Sequence, residues 1–166
     1  MVMVVLSLVA IVVVAMLDTS VMETLISRNS RDAEQAFQLA EGAVYMGAEQ
    51  SYQVLHNNYR TVETLPAWIE LAETSFTDSV NGQPVQMLVN HPTLIEQGSD
   101  YCIYEIRGRG ICPPAEYRLK TQVRFEYLEY HHLQYGEDGS VIDMTFSHRD
   151  FLDRGKVVKM EKELQP

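Results

Sequence analysis

Three histidines and two cysteines are the side chains of this sequence best suited to chemistry. His131 and His132 are adjacent, and His148 lies farther along the chain. Imidazoles titrate near neutrality and serve as bases or metal ligands. Neighbouring residues on a strand point to opposite faces, so His131 and His132 do not chelate one ion together, whereas His131 and His148 are expected to approach across a hairpin. Packing is their expected role. Glu137, Asp138 and Asp143 around a glycine carry oxygen ligands suited to calcium. Their spacing misses the EF-hand loop, and a charged hairpin tip accounts for them. There is no GxSxG, HExxH, P-loop or dinucleotide fingerprint. No catalytic residue, metal site, cofactor or small-molecule substrate is assigned, and the chain is read as a non-enzyme.

Cys102 and Cys112 bracket a strand end and the glycine-containing stretch 108–110, which is expected to break that strand and turn the chain. In an exported domain the pair is expected to form a disulfide, which for so short a loop contributes about 2.7 kcal/mol in the chain-entropy model. A zinc pair is the alternative, but ten positions with no nearby histidine fit neither a CxxC knuckle nor a finger spacing.

The elements that carry these residues follow from charge and hydropathy. The first seventeen residues hold no charge and one hydroxyl, Ser7, so all 23 acidic and 13 basic side chains lie beyond them. The acidic remainder opposes phosphate backbones. The only basic stretch, Arg107, Arg109, Arg118, Lys120 and Arg124, is interrupted by Glu116 and followed by Glu126, so nucleic acid is not an expected partner. Val5, Leu6, Leu8, Val9, Ile11, Val12 and Val13 make the first segment apolar all round, which predicts a membrane or filament-core helix. It is short for a span: seventeen residues reach about 25 Å against a hydrocarbon core of roughly 30 Å.

The helical pattern does not stop there. Residues 18–59 contain no proline, and small or apolar residues recur at Leu25, Asn29, Ala33, Ala36, Phe37, Ala40, Val44, Gly47, Ser51, Val54 and Leu55 in steps of three and four. That is one helical stripe with Asn29 as its polar member. Its alanine, glycine and serine permit close backbone approach. Three regions are expected: an apolar helix over 1–17, its amphipathic continuation over 18–59, and an exported β-rich domain over 60–166.

Within the helix, Glu23, Asn29, Arg31, Asp32, Ala36, Phe37, Ala40 and Glu41 match in order and spacing the amino-terminal region of PilX-type minor pilins of type IV pilus assembly. The segment 22–43 resembles that family, and the likeness covers roughly the first fifty residues. Leu39 departs from it, standing where the family has a small residue. Family members start with a basic leader ending in glycine, at which a prepilin peptidase cuts and methylates the new terminus. Neither leader nor glycine is present, so the expectation is a processed or misplaced start.

The resemblance implies a structural subunit that waits in the inner membrane by a single pass and enters a surface pilus through its apolar helix. Its partners would be other pilins and the inner-membrane assembly platform. Glu23 and Arg28, just beyond the apolar run, either pair with opposite charges on neighbouring subunits or form a solvated membrane-proximal turn. A pseudopilin of type II secretion is one alternative. A membrane-anchored adhesive module presenting a tyrosine-rich strand face, including Tyr127 and Tyr130, is another.

The remaining chain reads as strands. A short helix is expected over 67–71 around Trp68. The turn 81–84 separates strands 76–80 and 85–89, and 101–107 alternates as a strand. From Tyr117 the odd positions Leu119, Val123, Phe125, Tyr127, Leu133 and Tyr135 are apolar or aromatic, a period of two too long for one straight strand, so a bend or bulge is expected over 129–132. Asp138-Gly139 supplies a two-residue turn that sets Tyr135, Leu133 and His131 opposite Ile142, Met144 and Phe146. The fold class is α+β and pilin-like: a long helix, half membrane-inserted and half amphipathic, packed on an antiparallel sheet of four to six strands.

Overall fold

The computed structural model describes residues 2–80, 82–137 and 139–163, with side chains from Met16 onward. One helix, α1 (Val2–Asn58), is followed by seven strands: β1 (Ser75–Val80), β2 (Gln83–Val89), β3 (Thr93–Gln97), β4 (Tyr101–Cys112), β5 (Ala115–Tyr135), β6 (Val141–Phe151) and β7 (Lys156–Lys162). All pairings are antiparallel. The order is β1-β2-β4-β5-β6, with β3 beside β4 and β7 beside β5. Strands β4 and β5 are therefore the spine, paired continuously from Tyr101↔Glu126 to Cys112↔Ala115.

The expected helix stripe is the packed one. Ala36, Ala40, Ala43, Val44, Ala48, Ser51 and Leu55 are buried. Ala43, Ala48 and Leu55 pack among Cys102, Tyr104, Ile106, Val123, Phe125 and Tyr127 of the spine, Ala40 and Val44 with Leu119, and Ala36 with Val85 and Cys112. Burial of Leu55 contributes roughly 1.5–3 kcal/mol. Phe37 is half-buried and meets Tyr117 edge-on at 5.1 Å. The helix lies close because two glycines of β4 leave room for it. A Cβ on Gly110 would sit 2.0 Å from the Ala36 carbonyl oxygen, and one on Gly108 2.4 Å from that of Ala40. These glycines were expected to break the strand. They lie inside it, where absence of a side chain admits the helix backbone.

The membrane-inserted half of the expected fold is corrected. Among the described residues no helix is long and apolar enough to cross a membrane. Asp18, Glu23, Arg28 and Arg31 interrupt the apolar character soon after Leu17. The side chains of Val5, Leu6, Leu8, Val9, Ile11, Val12 and Val13 lie outside the described residues. The architecture is a long helix, packed along its carboxy-terminal part on an antiparallel sheet.

Other departures have local causes. Strands β3 and β7 raise the sheet above the expected six; both are short and mostly exposed, so neither carries a clean inside–outside alternation. Residues 67–71 form no helix. Trp68 makes an isolated bridge to Thr93, and the Leu71 amide donates to His91 Nδ1 at 3.1 Å. Gly82, in the two-residue connection after β1, has φ 77°, as turns of this length require. The two-residue turn expected at 138–139 is instead a longer loop between Tyr135 and Val141, in which the Gly136 amide donates to the Ser140 carbonyl at 2.8 Å and Gly139 has φ 77°. The bend expected over 129–132 is a register shift between Tyr130 and His131. Leu133 and His131 pair with Met144 and Phe146 as expected, whereas Tyr135 faces Val141 and not Ile142.

Candidate functional site

The cysteines show why no disulfide forms. Both are free and buried, and they stand at the two ends of β4. Ten residues of extended chain separate them by about 33 Å, whereas bridged Cα atoms lie within about 7 Å. The expected bond depended on a turn at 108–110 that does not exist. Burial pushes the Cys102 thiol up to about 12, with Arg149 opposing. Burial also raises Cys112, aided by the Asp32 carboxylate, and the Cys112 thiol donates to Gln35 Oε1 at 3.2 Å. Two thiols are therefore expected per chain in protein purified without reductant, silent to a thiol reagent until the core opens. Peptide mapping that finds Cys102 joined to Cys112 would refute this geometry.

The histidines do not converge. His131 lies edge-on to Phe146, 6.0 Å between centroids, while His148 stacks on Tyr130 at 4.5 Å. The expected approach of His131 to His148 fails because the extra residue in β6 at the register shift puts the two on opposite faces. Among the described residues no three His, Cys, Asp or Glu side chains are placed to hold a metal. Each cation of the basic stretch on the outer sheet face has a carboxylate partner. Arg109 and Arg118 share Glu116 at 2.7 and 2.6 Å, Arg107 and Lys120 share Glu105 at 2.8 and 2.9 Å, and Arg124 faces Glu126 at 3.5 Å. Hydrogen bonds from Arg109 and Arg118 hold the Glu116 carboxyl below its ordinary pKa.

The residues matching the pilin motif divide at one level of the helix. Asp32, Ala36 and Ala40 are buried on the sheet, and Glu41 is half-buried. Glu23, Asn29 and Arg31 lie in the stretch 16–31, in which every residue is exposed. Arg28 and Arg31 come only within 3.8 and 3.9 Å of Asp32, whose Oδ2 has no hydrogen-bond partner. Stepping back from Asp32 and Ala36 by threes and fours, the sheet-facing stripe continues through Asn29, Leu25, Met22 and Val21. Leu25 is 52% exposed, Met22 64% and Val21 58%. The helix thus leaves the domain carrying an apolar stripe that no other described residue covers.

No protein-family model, curated protein or solved structure matches this chain. The likeness of 22–43 to PilX-type minor pilins therefore rests on those residues alone.

A second uncovered surface lies at the other end, and the sequence reading missed it. Among the described residues β5 pairs past Tyr127 with β6 alone, so 128–135 and 141–150 form a two-stranded arm. Odd positions of β5 from Leu119 to Tyr127 are buried beneath α1. The register shifts add residues to β6 and none to β5, so the same face continues as Glu129, His131, Leu133 and Tyr135. Their partners are Arg149, Phe146, Met144 and Val141, which share that face. Leu133, Tyr135, Met144 and Val141 are 43–62% exposed. Tyr127, expected on an exposed tyrosine face, is fully buried, whereas Tyr130 is exposed. The signal available in the sequence was the alternation itself, sustained on the odd positions as far as Tyr135.

Proposed function

We propose that this chain is a structural subunit of a type IV pilus-like filament, entering or priming it through α1. One observation carries the reading: the exposed stretch 16–31 continues the packed stripe of the same helix through Val21, Met22 and Leu25, each more than half exposed. A contiguous apolar surface of that kind marks a protein contact, and in an assembled fibre neighbouring subunits would cover it. The pilin-like residues of 22–43 lie across the boundary between the packed and uncovered parts. Other pilin-like chains and an assembly machinery would be the partners, and the assembled fibre at the cell surface the place of action.

The test is incorporation. In native cells the chain should be recovered in sheared, purified fibres. Leu25→Glu should remove it from fibres while leaving its thermal unfolding within a few degrees of wild type, because the side chain is already exposed. Normal incorporation of that variant, or absence of the wild-type chain from fibres of cells that express it, would refute the reading. The exposed arm favours one other reading, an adhesive module with the arm as its contact surface; fibre-independent adhesion lost on Tyr130→Ala would support it.

A further inference from the structure

Two uncovered apolar surfaces on one chain raise the question whether they cover each other. They lie at opposite ends of the molecule. At one end Ala36 abuts Gly110, the Cys112 thiol reaches Gln35, and the helix departs beyond the last β4–β5 pair. At the other, the chain leaving α1 is tied to the root of the arm, where the Arg149 amide donates to the Arg60 carbonyl at 2.7 Å. They therefore cannot meet within one molecule. A second copy, shifted along the helix axis, would bring them together.

We infer that copies of this chain join head to tail, the uncovered helix stretch 16–31 of one copy seating on the inner face of the β5–β6 arm of the next. The contact deepens the filament reading, on which it rests for the setting where copies meet, by naming the surface each copy offers. Three observations support it. The first is continuity: the stripe that α1 lays on the sheet is the one that runs on through Leu25, Met22 and Val21, and the sheet face beneath α1 is the one that runs on through Leu133, Met144, Tyr135 and Val141. The intermolecular contact repeats the intramolecular one.

The second is length. Sixteen helical residues span about 24 Å, and the eight β5 residues of the arm span about 26 Å. The third is polarity. With the next domain standing beyond the arm's tip, Arg28 falls at the tip and Val21 nearer the root. The tip carries Glu137, which is exposed, and Arg28 has only a 3.8 Å contact with Asp32 to leave. The contact is heterologous and leaves one free end of each kind, so it propagates and does not close at two. Its footprint, on the order of 1,000 Å² in total, falls at the low end for a specific interface. Single contacts are therefore reversible in dilute solution and need covalent trapping.

The experiment uses the full chain carrying Leu25→Cys and Met144→Cys, both at exposed positions near the middle of their surfaces, oxidised and run without reductant. The expected result is a ladder of dimers, trimers and higher species. An equimolar mixture of the two single variants should stop at the mixed dimer. Adding Leu133→Glu to the double variant should abolish the ladder with an unchanged circular dichroism spectrum. The inference is overturned if the double variant stays monomeric, or if Leu25→Cys alone dimerises as efficiently, which would mean that helix packs on helix. Fibre recovery is scored separately. A monomeric double variant whose parent is found in fibres removes the arm contact and spares the filament reading; a ladder without fibre recovery does the reverse.

Discussion

Gly110→Ala is expected to destabilise the protein by about 3 kcal/mol, far more than one added methyl does in most settings. The new Cβ would meet the Ala36 carbonyl oxygen at 2.0 Å, the Ala40 nitrogen at 2.4 Å and Leu39 Cβ at 2.8 Å. Two of these are helix backbone, so no side-chain rotation relieves them, and α1 must lift from β4. Lifting it opens the contacts of Ala36, Ala40 and Val44 together. Gly108→Ala acts on the same stretch, through the Ala40 carbonyl oxygen and Val44 Cγ2. One displacement of the helix relieves both, so the double variant should cost clearly less than the sum of the singles. Gly139→Ala is the contrasting case: it meets nothing within 4 Å and is strained only by its φ of 77°, a cost of roughly 1–2 kcal/mol. Urea midpoints at constant m-value would measure all four variants. A Gly110→Ala midpoint indistinguishable from wild type would mean that the helix does not lie this close.

Arg149→Ala should cost about 3–5 kcal/mol, the range for removing one partner of a buried ion pair. Arg149 is 1% exposed. Its Nε donates to Glu129 Oε1 at 3.0 Å, its Nη2 to the same carboxylate and to the Glu63 carbonyl at 3.0 Å. The guanidinium lies 4.5 Å over the Tyr127 ring and 5.4 Å from Phe146. Truncation leaves a carboxylate and a loop carbonyl without their donor, and removes the packing of the stem. Arg149→Met with Glu129→Leu deletes both charges and keeps the volume, so it should recover much of the loss. Amide exchange locates the effect: protection should fall first in β6 beside 59–63, since that loop is held by Arg149. Loss spread evenly over the sheet would contradict the local role.

What the sequence disclosed was local order. The helix was legible because its stripe repeats in threes and fours. The β1–β2 and β5–β6 hairpins were legible because asparagine-glycine and aspartate-glycine turns stand between alternating runs. What it could not disclose depended on which element lies across from which. Leu25 and Asn29 continue the stripe as regularly as Ala36 and Ala40 do, yet the sheet ends near Cys112 and none of the described residues lies beneath them. Gly108 and Gly110 read as a break because the helix that needs their bareness is some seventy residues away, and the disulfide expectation inherited that error. Arg149 had no sequence signal, since its partners Glu129, Val62 and Glu63 come from distant segments. The register shift at Tyr130 was anticipated from strand length, but which strand takes the extra residue decides the histidine geometry, and spacing alone does not fix that.

The unbroken course of α1 also bears on how the molecule carries load. No proline interrupts the helix, and the stretch leaving the domain is continuous with the stretch packed on β4 and β5, so tension applied at its far end passes into the domain without a hinge. Because the helix lies along the spine strands, that tension loads the seats at Gly110 and Gly108 in shear and nearly at once, and does not peel them one after another. A domain held in this way should resist a pull along the helix far better than a pull across it, and its rupture force should depend on direction even though its equilibrium stability does not.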